Sequence, residues 1–397
     1  MRKLGVTLSR LAHFRRRWSA LLNNARRDAG APSTPSRLTE VASFGSNPGS
    51  LRMFTYVPKS VSPNPPLVVV LHGCTQSAAG YDQGSGWSHL ADRYGFVLLL
   101  PEQTGANNPK GCFNWFLPDD TRRDRGEALS IRQMIETTIV AHKIDRARVF
   151  VTGLSAGGAM AAAMLAVYPE VFAAGAIIAG LPYGTASNVQ EAFESMFQGR
   201  SLSAEGWGNK VRHASAHRGP WPRVSIWHGD ADPTVVPMNA ESLVRQWINL
   251  HAVRAAPVSD VVDGYPRTAW LRDGKPVVES YSITGMAHGT PLAPRQHGGQ
   301  AGPFLLDVGI SSSYHIARFF ELTGEENVRS QPADHESKGA GLAPEDVEII
   351  PDERVEILDG PNDPHGRERV GPGGPIDVMA VITKALTQAG LMKPPPS

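Results

Sequence analysis

The sequence has few cysteines, little excess charge and no long apolar run. Cys74 and Cys112 are its only cysteines in 397 residues, too few for a disulfide scaffold and no guide to the redox compartment. The sequence leaves open whether these two cysteines form one disulfide. No Cys-x-x-Cys or histidine-rich spacing indicates a metal, so neither a metal nor a cofactor is predicted. The formal net charge of +1 gives no reason to expect a nucleic-acid partner, which usually requires a large basic excess. No apolar stretch approaches membrane-spanning length.

Residues 1–30 differ in character from the rest of the chain. They carry eight Lys or Arg against a single acid, Asp28, and apolar residues recur every three or four positions, as in a basic amphipathic helix. Arg15–Arg17 interrupt the apolar positions, so there is no continuous h-region and no secretory signal peptide is visible. In one interpretation the helix packs on its own domain or is a frayed extension, and in the other it contacts a membrane or granule surface.

Composition divides the remainder of the chain into four parts. Residues 31–50, rich in Ser, Pro and Gly, are predicted as a linker, and alternating strand and helix patterns indicate an α/β domain over residues 51–324. The alternation of strand and helix patterns stops over residues 186–222, which we interpret as a cap-like insertion. Residues 325–374 are acidic and Pro/Gly-rich, so we predict disorder there, and residues 375–397 are predicted to contain a C-terminal helix.

The most informative stretch is Arg148–Met160, RVFVTGLSAGGAM. A buried strand, Val149–Val151, runs into Gly153-Leu154-Ser155-Ala156-Gly157, and an Ala-rich helix follows. A G-x-S-x-G sequence between a strand and a helix is the pattern of a nucleophile elbow, in which the serine takes a strained conformation at the tip of a tight turn. Glycines beside the serine let the helix pass close to the strand. We therefore predict Ser155 as a nucleophile.

A serine nucleophile needs a histidine base and a carboxylate that orients the histidine, in the order Ser, Asp, His for an α/β-hydrolase. The sequence HGDADPTV follows a strand and offers two aspartates. We choose Asp232, because it lies further along the loop towards the serine, and expect Asp230 to tie the turn. His288, on a glycine-flanked loop after a strand, is the predicted base, and His297 is the alternative.

The loop after strand Leu67–Leu71 reads HGCTQ. In α/β-hydrolases a loop of this kind supplies one oxyanion donor, and the residue after the nucleophile supplies the other. We assign these donors to the amides of Cys74 and Ala156. His72 precedes the serine in the chain, and we expect it only to brace the loop.

Aromatic residues near the predicted site are candidates for substrate binding. Trp115 lies on a long loop after a central strand, a position that is often functional, although core packing is an open alternative. Tyr183 follows the strand Ala173–Gly180 and is a second candidate. Cys74 and Cys112 both fall on loops at the carboxyl edge of the sheet, so a disulfide between them is compatible with this arrangement.

With these residues placed, the sequence resembles the poly(3-hydroxybutyrate) depolymerase family of esterases, which includes feruloyl and acetylxylan esterases. The matching stretches lie between about residues 52 and 322 and read LHGCTQSAAGYDQGSGWSHLA, GFVLLLPEQ, GCFNWF, VFVTGLSAGGAMAAAMLAVYPEVFAAGAIIAGLPYG, WHGDADPTV and GMAHG. The resemblance implies an α/β-hydrolase fold with a mostly parallel sheet and helices on both faces. It also implies a triad of Ser155, Asp232 and His288.

The resemblance implies hydrolysis of short-chain hydroxyalkanoate oligomers or polymers, or of acylated sugars, through an acyl-enzyme. A non-catalytic binding protein on a hydrolase scaffold is the alternative from another class, and an acyltransferase would keep the chemistry but change the acceptor. The family is commonly secreted, which implies an extracellular location. Without a visible signal peptide, the sequence by itself leaves the cytoplasm as the alternative.

Overall fold

A computed structural model of the protein describes residues 36–324. The predictions for residues 1–30, 325–374 and 375–397 fall outside the described residues. Within the described range, no helix is both long enough and apolar enough to cross a membrane.

A ten-stranded sheet forms the centre of the fold, with strand order β1-β2-β4-β3-β5-β6-β7-β10-β9-β8. The five pairings from β4 to β10 are parallel, whereas β1, β2, β8 and β9 pair antiparallel at the two edges. The strands of the described residues, including a separate parallel pair of β11 with β12, are β1 (Thr39–Val41), β2 (Arg52–Tyr56), β3 (Leu67–Leu71), β4 (Val97–Glu102), β5 (Val149–Leu154), β6 (Ala174–Ile178), β7 (Arg223–Gly229), β8 (Val258–Val262), β9 (Tyr265–Arg272), β10 (Lys275–Ile283), β11 (Thr290–Leu292) and β12 (Leu305–Asp307).

Helices cover both faces of this sheet. They are α1 (Ala78–Ser85), α2 (Trp87–Tyr94), α3 (Pro118–Thr121), α4 (Gly126–His142), α5 (Ala156–Val167), α6 (Val189–Gln198), α7 (Ala204–Arg212), α8 (Met238–Leu250), α9 (Pro294–His297) and α10 (Ser312–Phe319), with a 3₁₀ turn at Pro169–Val171. The expected mostly parallel α/β sheet with helices on both faces is confirmed.

The buried strands feed two hydrophobic cores, one on each face. In β3, every residue is buried; Leu67, Val69 and Leu71 belong to one core, and Val68 and Val70 belong to the other. A continuous apolar run is therefore the correct sequence pattern for this strand, because alternate side chains pack on opposite helix layers.

Two edge elements differ from the sequence analysis. The predicted linker over residues 31–50 instead contains β1, which pairs with β2 through Thr39–Thr55 and Val41–Met53. A turn at Asp273-Gly274 joins β9 and β10, and Asp-Gly is a common sequence in hairpin turns. The additional strand β8 has an almost wholly exposed pattern, so it lacks the apolar alternation that would have identified it. The region 186–222 contains α6 and α7.

Candidate active site

Ser155 lies between β5 and α5 in a conformation rare for a residue with a side chain. Its φ is 56° and its ψ is −115°, and its amide donates to the Ile178 carbonyl at 2.8 Å. A Cβ on Gly157 would lie 2.3 Å from the Leu71 carbonyl oxygen, and one on Gly153 would lie 2.5 Å from the Gly157 backbone. The strained turn is therefore compatible only with glycine at these two positions.

His288 lies between Ser155 and Asp232. Its Nε2 is 2.9 Å from Ser155 Oγ, and its Nδ1 is 2.7 Å from Asp232 Oδ2. Because an ionised carboxylate only accepts hydrogen bonds, Nδ1 carries the proton, and the lone pair of Nε2 faces the serine hydroxyl. This arrangement allows the imidazole to take the proton of Ser155. All three side chains are nearly buried.

Two loops at the carboxyl end of the sheet bring Asp232 and His288 together. Asp232 follows β7 and His288 follows β10, which pair in parallel. A Cβ on Gly229 would lie 2.1 Å from the Met286 carbonyl oxygen, so the backbones of the two loops are too close together for any residue other than glycine at this position. The amide of Ala231 donates to that same carbonyl at 3.2 Å.

Attraction to His288 and hydrogen bonds keep the Asp232 carboxylate ionised although it is buried. Its Oδ1 accepts the amides of Thr234 and Val235 at 2.8 and 2.9 Å, and His228 Nε2 lies 3.4 Å from Oδ2. Burial opposes ionisation, but attraction to His288 and hydrogen bonds from His228 and His288 hold the pKa of Asp232 well below its usual value. A permanent negative charge therefore faces the imidazole.

The competing residues have other partners. Asp230 is exposed, and its Oδ1 accepts the Gly285 amide at 2.7 Å, so it ties the two loops without contacting His288. The ring of His297 stacks on Tyr314 at a centroid distance of 3.8 Å.

The fully buried His72 braces the loop that carries Cys74. Its Nδ1 hydrogen-bonds the Gly73 carbonyl at 2.8 Å, and its Nε2 accepts the Gln103 amide at 3.1 Å. Burial lowers the pKa of His72, in keeping with a neutral ring that bonds the backbone on both sides.

The amides of Cys74 and Ala156 border the serine. Both residues line the space beside Ser155, and among the described residues neither amide hydrogen has an internal acceptor. A disulfide joins Cys74 to Cys112, and the neighbouring Thr75 amide donates to the Lys110 carbonyl at 2.8 Å. The loop that presents the Cys74 amide is thus fixed to the aromatic loop.

Two clefts meet at Ser155. The larger, which we call the α6 cleft, has about 580 Å³ of empty space, part of which is open to solvent. The smaller, which we call the Phe304 cleft, has about 250 Å³, also partly open to solvent, and is lined by Gly73, Cys74, Gln76, Leu154, Ser155, His288 and Phe304. The lining of the α6 cleft is mostly apolar and consists of Cys74, Asn108, Cys112, Trp115, Phe116, Ser155, Ala156, Leu181, Val189, Ala192, Phe193, Met196 and Val235.

The two aromatic candidates for substrate binding have different positions. Trp115 lines the α6 cleft. Tyr183 lines neither cleft, and its ring packs against one of the hydrophobic cores; its role as a substrate contact stays a prediction. Gln246 of α8 accepts the Tyr183 amide at 3.2 Å and donates to its carbonyl at 3.1 Å, and these two hydrogen bonds fix the backbone of the turn at Tyr183.

Several residues near the site carried no sequence signal. The fully buried carboxylate of Glu127 accepts the Asn114 amide at 2.9 Å and the side-chain amides of Gln103 and Asn107, and so holds the loop that carries Trp115. Burial raises the pKa of Glu127 well above its usual value. Nothing in its local sequence distinguishes it from a surface glutamate in the first turn of a helix. In residues 36–324 no group of His, Cys, Asp or Glu forms a metal site.

The fold and the serine turn at the end of a central parallel strand define an α/β-hydrolase. Residues 52–260 match the family model described as Esterase PHB depolymerase, and the chain belongs to this family. It is 47% identical over 302 residues to poly(3-hydroxyalkanoate) depolymerase C of Paucimonas lemoignei, covering 75% of this chain and 73% of that protein. The protein is a carboxylic ester hydrolase.

The chain is also similar to a feruloyl esterase and to an acetyl xylan esterase. Feruloyl esterase B of Thermothelomyces thermophilus is 36% identical, with 59% of this chain and 81% of that protein aligned. The structure of an acetyl xylan esterase from Aspergillus awamori superposes with a TM-score of 0.61 and 27% identity, covering 72% of this chain and 99% of that one.

Proposed function

We propose that Ser155, His288 and Asp232 are the catalytic triad of this esterase. Ser155 Oγ attacks the ester carbonyl carbon while His288 Nε2 takes its proton, and Asp232 stabilises the imidazolium that forms. The amides of Cys74 and Ala156 donate to the carbonyl oxygen as it becomes negative. His288 returns the proton to the leaving alcohol, and water then cleaves the acyl-enzyme by the same steps.

One observation carries this proposal: the hydrogen-bonded chain from Asp232 through His288 to Ser155, at 2.7 and 2.9 Å. Its geometry is that of a poised general base and nucleophile. A complete triad also argues against a non-catalytic binding protein, since a binding role requires none of these contacts.

We propose short-chain hydroxyalkanoate oligoesters as the substrate. Support comes from the 47% identity to a poly(3-hydroxyalkanoate) depolymerase and from the apolar lining of the α6 cleft, which suits an aliphatic acyl group. Feruloylated or acetylated sugars are the second candidate, favoured by the similarity to a feruloyl esterase and an acetyl xylan esterase.

We further propose that the protein works outside the cytoplasm. The disulfide between Cys74 and Cys112 supports this location, because disulfides persist mainly in oxidising compartments. It lies beside the proposed oxyanion donor, so an enzyme that depends on it is better suited to such a compartment.

A substrate panel with Ser155→Ala tests the function. Wild-type enzyme should hydrolyse 3-hydroxybutyrate oligomers faster than feruloylated or acetylated sugars, and water should remain the acceptor when alcohols are added. Ser155→Ala should lose more than about a thousandfold in kcat with an unchanged circular dichroism spectrum, and a fluorophosphonate should label Ser155. A variant that keeps more activity than this would refute the triad, whereas preference for the sugars would refute only the substrate.

A further inference from the structure

The two clefts beside Ser155 differ in their access to the proposed general acid. His288 lines the Phe304 cleft but not the α6 cleft. In ester cleavage the leaving oxygen must receive a proton from the imidazole, so the alcohol has to lie on the side of His288. Once the carbonyl oxygen faces the Cys74 and Ala156 amides, the acyl group has the α6 cleft as its remaining space.

We propose that the acyl group binds in the α6 cleft, that the leaving alcohol binds in the Phe304 cleft, and that Ala192 and Met196 of α6 set the acyl length accepted. This inference rests on the proposed triad. It assigns each half of the ester to a separate set of side chains, so acyl preference and alcohol preference can be changed independently.

The lining of the α6 cleft favours an apolar acyl chain. Leu181, Met196 and Val235 are buried there in one hydrophobic cluster, against which Trp115 and Phe193 pack. Apart from Ser155 itself, Asn108 is the polar residue of the lining, but its Nδ2 donates to Asn114 Oδ1 at 2.9 Å and its Oδ1 accepts the Lys110 amide at 3.0 Å. Each methylene buried here should therefore favour binding.

Helix α6 is held firmly enough to act as a fixed wall. At its start, the Asn188 side chain accepts the Glu191 amide at 2.9 Å. Near its end, the Met196 carbonyl accepts the Val236 amide at 2.8 Å, and Asn239 Nδ2 donates to the Ser195 carbonyl at 2.9 Å. Because both ends are tied, a larger side chain at position 192 has to occupy cleft volume and cannot simply push the helix away.

The test measures acyl and alcohol preference separately. The acyl series is p-nitrophenyl acetate, butyrate and hexanoate; the alcohol series is the butyrate esters of methanol, hexanol and p-nitrophenol, followed by pH-stat. The variants are Ala192→Leu, which fills the α6 cleft, Met196→Ala, which enlarges it, and Phe304→Ala in the other cleft. Gln198→Leu, an exposed position of α6 outside both clefts, is the matched leucine control.

We expect Ala192→Leu to lower the hexanoate-to-acetate ratio of kcat/KM at least about tenfold, since a misfit of one or more methylenes has effects of this size. Met196→Ala should raise the ratio, and Gln198→Leu should match wild type. Phe304→Ala should change the order of the alcohol series and leave the acyl ratio at its wild-type value, even if the loss of the ring beside His288 lowers kcat for every ester. Circular dichroism verifies that each variant folds. If Ala192→Leu does not fold, the change that Met196→Ala makes in the hexanoate-to-acetate ratio tests the assignment by itself.

Two results would overturn the inference and leave the proposed function standing. In the first, Phe304→Ala shifts the acyl ratio and the α6 variants shift the alcohol order, while Ser155→Ala stays inactive; the triad then stands and the cleft assignment fails. In the second, the α6 variants leave the acyl ratio unchanged. If wild-type enzyme hydrolyses none of these esters, the proposed function fails and the cleft assignment fails with it.

Discussion

Replacing Asp232 by asparagine should nearly abolish catalysis with little change in shape. Oδ1 accepts two backbone amides, those of Thr234 and Val235, so the carbonyl oxygen of an asparagine has to stay on that side. Its NH₂ group then faces His288 Nδ1. Two donors cannot bond each other, so the imidazole must move its proton to Nε2, where it can no longer accept the proton of Ser155.

The expected loss follows from this tautomer change. In a serine hydrolase the equivalent replacement lowers kcat by on the order of 10⁴, which corresponds to about 5 kcal/mol of activation free energy. Asp230→Asn is the matched control, two positions away. Its side-chain oxygen can still accept the Gly285 amide as Oδ1 does now, so stability should fall by at most about 1 kcal/mol and kcat should stay close to wild type.

Single-turnover release of p-nitrophenol from p-nitrophenyl butyrate isolates the acylation step for both variants, and thermal unfolding followed by circular dichroism shows whether either has lost its fold. An acylation rate of Asp232→Asn within tenfold of the wild-type rate would show that Asp232 is not the orienting carboxylate. A larger loss of acylation rate in Asp230→Asn than in Asp232→Asn would show the same.

Two further predictions concern stability. The disulfide joins positions 38 apart, so replacing Cys74 and Cys112 with serine should lower the free energy of unfolding by up to about 4 kcal/mol. The same replacement should lower kcat by about tenfold, because the position of the Cys74 amide is no longer fixed although the amide is still present. Unchanged urea midpoints and an unchanged kcat would contradict this prediction. Burial lowers the pKa of His251 to about 4, so the stability it contributes above its unfolded pKa of about 6.5 should be lost as pH falls, by about 2 kcal/mol between pH 7 and pH 5. Urea titrations of wild type and His251→Gln at both pH values measure this, and equal pH dependence in the two proteins would refute it.

Local patterns account for what the sequence could predict. The turn around Ser155 is specified within thirteen residues, because strand, glycines and helix are all adjacent in the chain. The positions of Asp232 and His288 follow from a second rule, that loops after parallel strands gather at one edge of the sheet. Neither inference required a distant contact to be known.

Features set by distant contacts could not be predicted in this way. Tyr183 follows a strand at the same sheet edge, yet Gln246, 63 positions away, holds its backbone, and no local pattern indicates that contact. Glu127 is similar, since its burial depends on a loop that folds over it. Strand β1, within the expected linker, is a strand because it pairs with β2. Its three residues are too few to show the alternation of apolar and polar side chains that would predict a strand.

The contacts around α6 also limit how freely acyl preference can be altered. The Val236 amide that bonds the Met196 carbonyl belongs to the loop whose amides at Thr234 and Val235 hold the Asp232 carboxylate. A substitution that shifts the backbone of α6 would therefore disturb the orienting carboxylate as well as the cleft. Substitutions that change only side-chain volume, such as Ala192→Leu, should lower kcat/KM for hexanoate more than for acetate, whereas a helix-breaking proline at Ser195 should reduce kcat for every ester alike.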